Sequence, residues 1–158
     1  MTDSPRSDPI HLAEADTDED IAACLPVLRE LRRYIGHAED FVAQIRRLQR
    51  QGYRLLAATQ ASRVVACAGF RVKESLISGR VLQIDELVTA RSARSHGLGK
   101  RILDALTELA QTEGCRAVVL DCGVRNPRAH RFYFREGMHI TSFRFALSFG
   151  PVPGEEML

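Results

Sequence analysis

A glycine-rich turn has the sequence Arg94-Ser95-His96-Gly97-Leu98-Gly99-Lys100. It joins a strand-like run, residues 81 to 89, to an amphipathic run with helical spacing, residues 98 to 113. A turn that opens a helix presents unpaired backbone N–H groups and the positive end of the helix dipole, which together attract anions. The turn therefore predicts a phosphate-binding site between a strand and a helix.

Two familiar glycine patterns do not fit this turn. A dinucleotide-binding G-x-G-x-x-G that starts at Gly97 requires glycine at position 102, where the chain has Ile102. A triphosphate-binding P-loop requires glycine at position 94 and Ser or Thr at position 101, where the chain has Arg94 and Arg101. What remains is the pattern R-x-x-G-x-G.

A second motif lies downstream. It has the sequence Asn126-Pro127-Arg128-Ala129-His130-Arg131-Phe132-Tyr133 and leads to Glu136-Gly137-Met138. R-x-x-G-x-G resembles the pyrophosphate motif of the GNAT superfamily of N-acetyltransferases, and N-x-x-A-x-x-x-Y resembles its last helix. The matching core runs from about residue 82 to 138. His96 is a departure, because the family often has Arg or Lys there, and a neutral imidazole weakens the electrostatic attraction for phosphate.

The periodicity of apolar residues gives the order of the elements. It predicts one strand, two helices, three strands, and then helix, strand, helix and strand, which is the GNAT order. The expected fold is α/β, with a mixed, mostly antiparallel sheet of about six strands, a parallel central pair that parts, and four flanking helices. We expect strands at 10–15, 53–59, 63–76, 81–89, 117–120 and 142–149, and helices at 17–33, 38–51, 98–113 and around Tyr133.

Length and composition indicate one domain. We expect a flexible segment at 1–9, a single domain at 10–150 and a tail at 151–158. A net charge of +2 argues against a nucleic-acid partner, and no apolar run approaches the ~18 residues of a membrane span. The chain shows neither a secretory start nor C-x-x-C spacing, so we expect reduced thiols and a cytoplasmic location. The histidines show no metal-ligand spacing, so no metal is expected.

The resemblance implies acetyl-CoA as cosubstrate and an amine as acceptor, more in keeping with a small molecule than with a protein terminus. It places the pantetheine arm along Leu87, Val88 and Thr89. The turn residues expected to bind the pyrophosphate are Arg94, Ser95, His96, Gly97, Leu98, Gly99 and Lys100. It adds Asn126 and Phe132 to the coenzyme site, although Asn126 at the start of a helix is equally suited to capping it.

Transfer to an amine requires a base for the ammonium proton and an acid for the leaving thiolate. The resemblance makes Tyr133 the acid, with simple aromatic packing as the alternative. Asp85 and Glu86 both lie in an otherwise apolar strand, and their side chains should point to opposite faces unless a bulge intervenes. Glu86 is our candidate base, and the alternative is a carboxylate that only attracts a cationic substrate or pairs with Arg.

Two other classes of function stay open at this stage. A noncatalytic acyl-CoA sensor of the same fold would keep the glycine turn without needing Tyr133 or Glu86. A structural domain could instead form a homodimer through its phenylalanine-rich last strand. An acetyl-enzyme formed on Cys122, which follows a short apolar strand, is a further chemical alternative to direct transfer.

Overall fold

The computed structural model describes residues 8 to 151, so most of the predicted flexible start and of the tail lies outside the described residues. The elements in chain order are β1 (His11–Glu14), α1 (Asp18–Leu31), α2 (Ala38–Gln49), β2 (Tyr53–Gln60), β3 (Arg63–Ser75), β4 (Gly79–Thr89), α3 (Leu98–Thr112), β5 (Ala117–Leu120) and α4 (Pro127–Arg135). Within residues 8 to 151, no helix is both long and apolar enough to cross a membrane.

The described strands form one sheet in the order β1-β2-β3-β4-β5. The first four strands pair antiparallel in succession, and β5 pairs parallel with β4. Parallel neighbours need a crossover connection, and α3 provides it. The predicted mixed sheet with one parallel pair and four helices is confirmed.

Local sequence explains where α1 and α3 begin and pack. Thr17 caps α1 through a reciprocal capping box with Asp20, and the helix continues through Pro26. On α3, Leu98, Ile102 and Leu106 are buried at helical spacing and join the core. This apolar stripe fixes α3 against the sheet and thereby aims the amino end of α3 at one edge of the β4–β5 pair.

The predicted last strand at 142–149 is not found. No strand is assigned to residues 138 to 149, so the described sheet has five strands rather than about six. β5 is consequently the terminal strand of the sheet, and Val118 to Leu120 are only partly buried, whereas the sequence predicted a central strand covered on both faces. Alternation predicts a chain that can form a strand, but it does not name the neighbour that would pair with it.

Candidate active site

A cleft opens where the two parallel strands part. Their shared register runs from Val81 opposite Ala117 to Ile84 opposite Leu120. Beyond this point β4 continues along β3 as far as Thr89, while the chain leaves the sheet after β5. In the described part of the chain, residues 87 to 89 therefore have a strand on one side only. These are the residues that the resemblance assigns to the pantetheine arm.

An extra residue in β4 marks the start of the cleft. Glu86 lies opposite Gly69 and Ile84 lies opposite Phe70, so Asp85 has no partner of its own in the register. Such a bulge bends the strand and re-aims its side chains. It is the condition under which both acidic residues can lie close together, and the structure meets that condition.

The two carboxylates belong to one cluster of charged and phenolic groups. Arg71 Nε donates to Asp85 Oδ2 at 2.8 Å, and the Arg71 guanidinium lies over the Tyr53 ring at 5.6 Å from its centroid. Tyr53 Oη donates to Glu86 Oε2 at 2.8 Å, and Arg32 Nη2 lies 3.9 Å from Glu86 Oε1. Glu86 and Asp85 therefore share two arginines and one buried phenol.

Burial dominates the protonation of Glu86. Desolvation raises the pKa of its carboxyl, and the Tyr53 hydrogen bond and the Arg32 charge oppose that rise without cancelling it. The carboxylate is therefore a stronger base than that of an exposed glutamate. Glu86 also borders a cavity of about 60 Å³ between α1, α2 and β2, whose other polar walls are Arg32, Tyr34, Gln44 and Tyr53.

Gly69 makes the Tyr53–Glu86 hydrogen bond geometrically possible. A Cβ at position 69 would lie 1.9 Å from Tyr53 Oη and 2.3 Å from Glu86 Oε2. The phenol and the carboxylate thus meet directly above the bare backbone of β3. The sequence analysis missed both Gly69 and Tyr53. The signal that could have found Gly69 is a glycine inside a strand, which often marks a close approach by another group.

The glycine turn presents its amides as predicted. Ser95 and Gly97 have φ values of 67° and 72°, and no side chain caps the start of α3. Within the described residues, no hydrogen bond uses the N–H groups of residues 95 to 100. Arg94 Nε donates to the Thr89 carbonyl at 3.3 Å, which fastens the turn to the end of β4.

Helix α4 brings the second motif against the glycine turn. A Cβ on Gly99 would lie 3.3 Å from the Phe132 ring, so the first turn of α3 packs directly on this aromatic side chain. Asn126 accepts from the Ala129 N–H at 3.1 Å, which is the capping role that the sequence left open. The Phe132 and Tyr133 rings meet edge to face with centroids 5.2 Å apart.

Tyr133 and Lys100 have distinct electrostatic settings. Desolvation, followed by the charge of Cys122, raises the pKa of Tyr133 to about 12, so its phenol keeps its proton at neutral pH. Lys100 Nζ donates to Asp104 at 2.9 Å and lies 3.6 Å from Glu136, which turns this ammonium toward the α3–α4 contact. Of the predicted turn residues, the backbone amides rather than the lysine charge face open space.

Replacing Gly69 by Ala should separate Tyr53 from Glu86. We expect G69A to lower the free energy of unfolding by about 1–3 kcal/mol, because the new methyl group overpacks a buried site. Gly36→Ala is the matched control: its nearest non-neighbouring atom would be 3.9 Å away, so the change should stay within about 0.5 kcal/mol. Urea unfolding of both variants measures this, and equal stabilities would contradict the close approach.

Comparison with known proteins agrees with this geometry. The family model described as acetyltransferase (GNAT) family matches residues 12–138. The chain is 32% identical to the uncharacterized N-acetyltransferase YhdJ of Bacillus subtilis (strain 168), across 86% of this chain and 96% of that protein. It is 26% identical to glucosamine 6-phosphate N-acetyltransferase 1 of Dictyostelium discoideum, across 70% of this chain and 73% of that protein.

A solved structure extends the comparison to the fold. Aminoglycoside N-acetyltransferase AAC(6')-Iy in complex with CoA superimposes with a TM-score of 0.79 at 16% identity, covering 92% of this chain and 97% of that one. The order of elements, the parting parallel strands and the glycine turn are thus accompanied by a family match over most of the chain. The chain belongs to the GNAT acetyltransferase family, and it is an N-acetyltransferase.

Proposed function

We propose that this enzyme transfers an acetyl group from acetyl-CoA directly to a small primary amine while both substrates are bound. The observation that carries the proposal is the pairing of an open set of backbone amides at one end of the β4–β5 cleft with a buried, basic carboxylate at the other. A noncatalytic sensor would need the amides, but it would have no use for Glu86 in a desolvated site that costs stability.

The turn at the start of α3 fits a diphosphate. Its free N–H groups and the helix dipole supply positive potential, and its nearest acidic side chains are already paired with arginine or lysine. Residues 95 to 100 would bind the diphosphate, and the open edge of Leu87, Val88 and Thr89 would bind the pantetheine arm. Acetyl-CoA supplies an acetyl group activated as a thioester, and the chain supplies positioning and proton transfer.

Glu86 is assigned the role of base. A primary ammonium with a pKa of ~10.4 is almost wholly protonated at neutral pH, so it must lose a proton before it can attack. The pKa of Glu86 is raised by burial, which brings its basicity closer to the working range. The bordering cavity leaves room for water or for an amino group beside the carboxylate, so direct and water-relayed deprotonation both use the same residue.

Tyr133 is assigned the role of acid. A departing thiolate requires a proton, and a phenol with a pKa of about 12 holds one throughout the physiological range. Because this phenol is a weaker acid than a thiol, with a pKa of ~8.5, its proton must move as the carbon–sulfur bond breaks rather than beforehand. Burial also raises the pKa of Cys122, which leaves little thiolate and disfavours an acetyl-enzyme on that residue.

The small-molecule acceptor is supported by the size of the cavity and by the relatives. The Dictyostelium relative is named for glucosamine 6-phosphate and the structural neighbour for aminoglycosides, and both names denote amino sugars. Free-thiol release measured against a panel of amino sugars, amino acids and polyamines tests the acceptor. Turnover only with peptide amines would contradict the small-molecule assignment.

Gly97→Ala tests the diphosphate site. Gly97 and Gly114 share a φ of 72°, and at each position an added Cβ meets nothing within 4 Å, so Ala carries the same backbone strain in both. We expect G97A to weaken coenzyme A binding at least about tenfold, because its methyl group lies where the diphosphate would rest on the amides. G114A, at the far end of α3, should bind normally. Calorimetric titration measures both, and equal affinities would contradict the site.

Glu86→Gln tests the base. In the wild type, kcat/KM should rise with pH through a pKa above that of an exposed glutamate, because only the carboxylate accepts a proton. E86Q should remove that rise and lower kcat by ~100-fold or more. Asp85→Asn is the matched control on the neighbouring carboxylate, and it should keep the rise. The reverse pattern would transfer the role to Asp85.

Stability gives an independent readout for the same variant. The folded pKa of Glu86 is raised, so ionising the carboxyl costs the folded state more than the unfolded one. The free energy of unfolding of the wild type should therefore fall relative to E86Q as pH rises through this folded pKa. Thermal unfolding between pH 4 and 8 checks the sign, as about 4 and 8 bracket the titration of a raised glutamate. A constant difference would show that burial does not shift the pKa.

Tyr133→Phe tests the acid. It should lower kcat by about 10²–10⁴-fold and leave the dissociation constant of coenzyme A unchanged, because the phenyl ring preserves the packing on Phe132. Stopped-flow turnover and equilibrium titration separate the two quantities. An unchanged kcat would remove Tyr133 from the mechanism.

A further inference from the structure

The β5 strand offers an unfilled edge. It is last in the sheet order and, within residues 8 to 151, it pairs only with β4. Ala117 is exposed, and the other three residues of β5 are only partly buried. Unpaired N–H and C=O groups on a terminal strand form a ready template for one more strand.

The segment from Phe143 to Phe149 offers a strand with an uncovered apolar face. Its side chains alternate between apolar and polar, the period of a strand. The apolar members are strongly exposed: Phe143 79%, Phe145 92%, Leu147 82% and Phe149 96%. The three phenylalanines alone expose roughly 500 Å² on one face, which matches the largest apolar patch of an entire typical monomer.

The segment lies beside β5 without pairing to it. Met138 and Val118 line the same cavity of about 270 Å³, and Arg144 Nη1 lies 2.8 Å from Asp121 Oδ2. The segment therefore runs along β5 in the same direction, yet no strand is assigned to it. The Arg144–Asp121 ion pair holds it at a side-chain distance from its own chain's sheet edge.

We propose that a second copy of this chain fills the edge, with residues 143 to 149 of each copy adding as a strand to β5 of the other. The chain carries both halves of the contact, an open strand edge and an apolar strand without a cover, so a two-fold arrangement satisfies both halves in both copies at once. The phenylalanines of two copies contribute roughly 1,000 Å², and the β5 surfaces they cover bring the total into the ~1,200–2,000 Å² range of stable interfaces.

The mass of the full-length protein in solution is the first test. Sedimentation or light scattering at micromolar concentration should give twice the 17.6 kDa of one chain. A monomer at that concentration would overturn the proposal, whatever any variant does.

Phe145→Asp locates the interface. It places a charge at the centre of the apolar face and should raise the dimer dissociation constant at least about thirtyfold. Leu76→Asp is the matched control, since Leu76 is 107% exposed in the β3–β4 turn, and it should leave the dimer intact. Far-UV circular dichroism confirms that both variants fold. A dimer that survives F145D, or is lost equally in L76D, would contradict the assigned surface.

Amide hydrogen exchange identifies the paired strands. Relative to monomeric F145D, the wild-type dimer should protect amides in 117–120 and in 143–149 together. Protection of the 143–149 segment without β5, or of neither, would show that the copies meet through another surface and would overturn the proposed pairing.

Discussion

The extra residue at Asp85 is the constraint on which the site depends. Strand β4 pairs with β3 on both sides of the bulge, but its parallel register with β5 ends at Ile84, one residue before it. A bulge increases local twist and bends the strand that contains it. In this chain it coincides with the opening of the cleft, with the meeting of two carboxylates, and with the crossing of Tyr53 over Gly69.

The site is stabilised by contacts that the chemistry itself does not need. Gly99 against Phe132 and Lys100 against Glu136 join the start of α3 to α4, so the amides and Tyr133 belong to one packed unit. Arg94 ties the same turn to the end of β4. In contrast, keeping Glu86 desolvated beside Asp85 costs folding free energy, which is typical of a site whose pKa values serve a reaction.

Much of the fold and the two motifs could be predicted from the sequence because they are local. Helical spacing at Leu98, Ile102 and Leu106, a threonine cap and a glycine turn are properties of neighbouring residues. The Tyr53–Glu86 hydrogen bond joins residues 33 positions apart and depends on an unpaired residue in β4, which no short pattern records. Alternation at Phe143 to Phe149 likewise predicted a strand but could not say whether its own sheet would pair with it.

The central claim is that main-chain amides of residues 95 to 100 bind the diphosphate of the coenzyme. Titration of ¹⁵N-labelled protein with coenzyme A, followed by amide NMR shifts, observes these groups directly. The account predicts the largest downfield shifts at residues 95 to 100, with smaller ones along residues 87 to 89. Saturating coenzyme that leaves the amides of 95 to 100 unchanged, or shifts a different helix terminus instead, would contradict it.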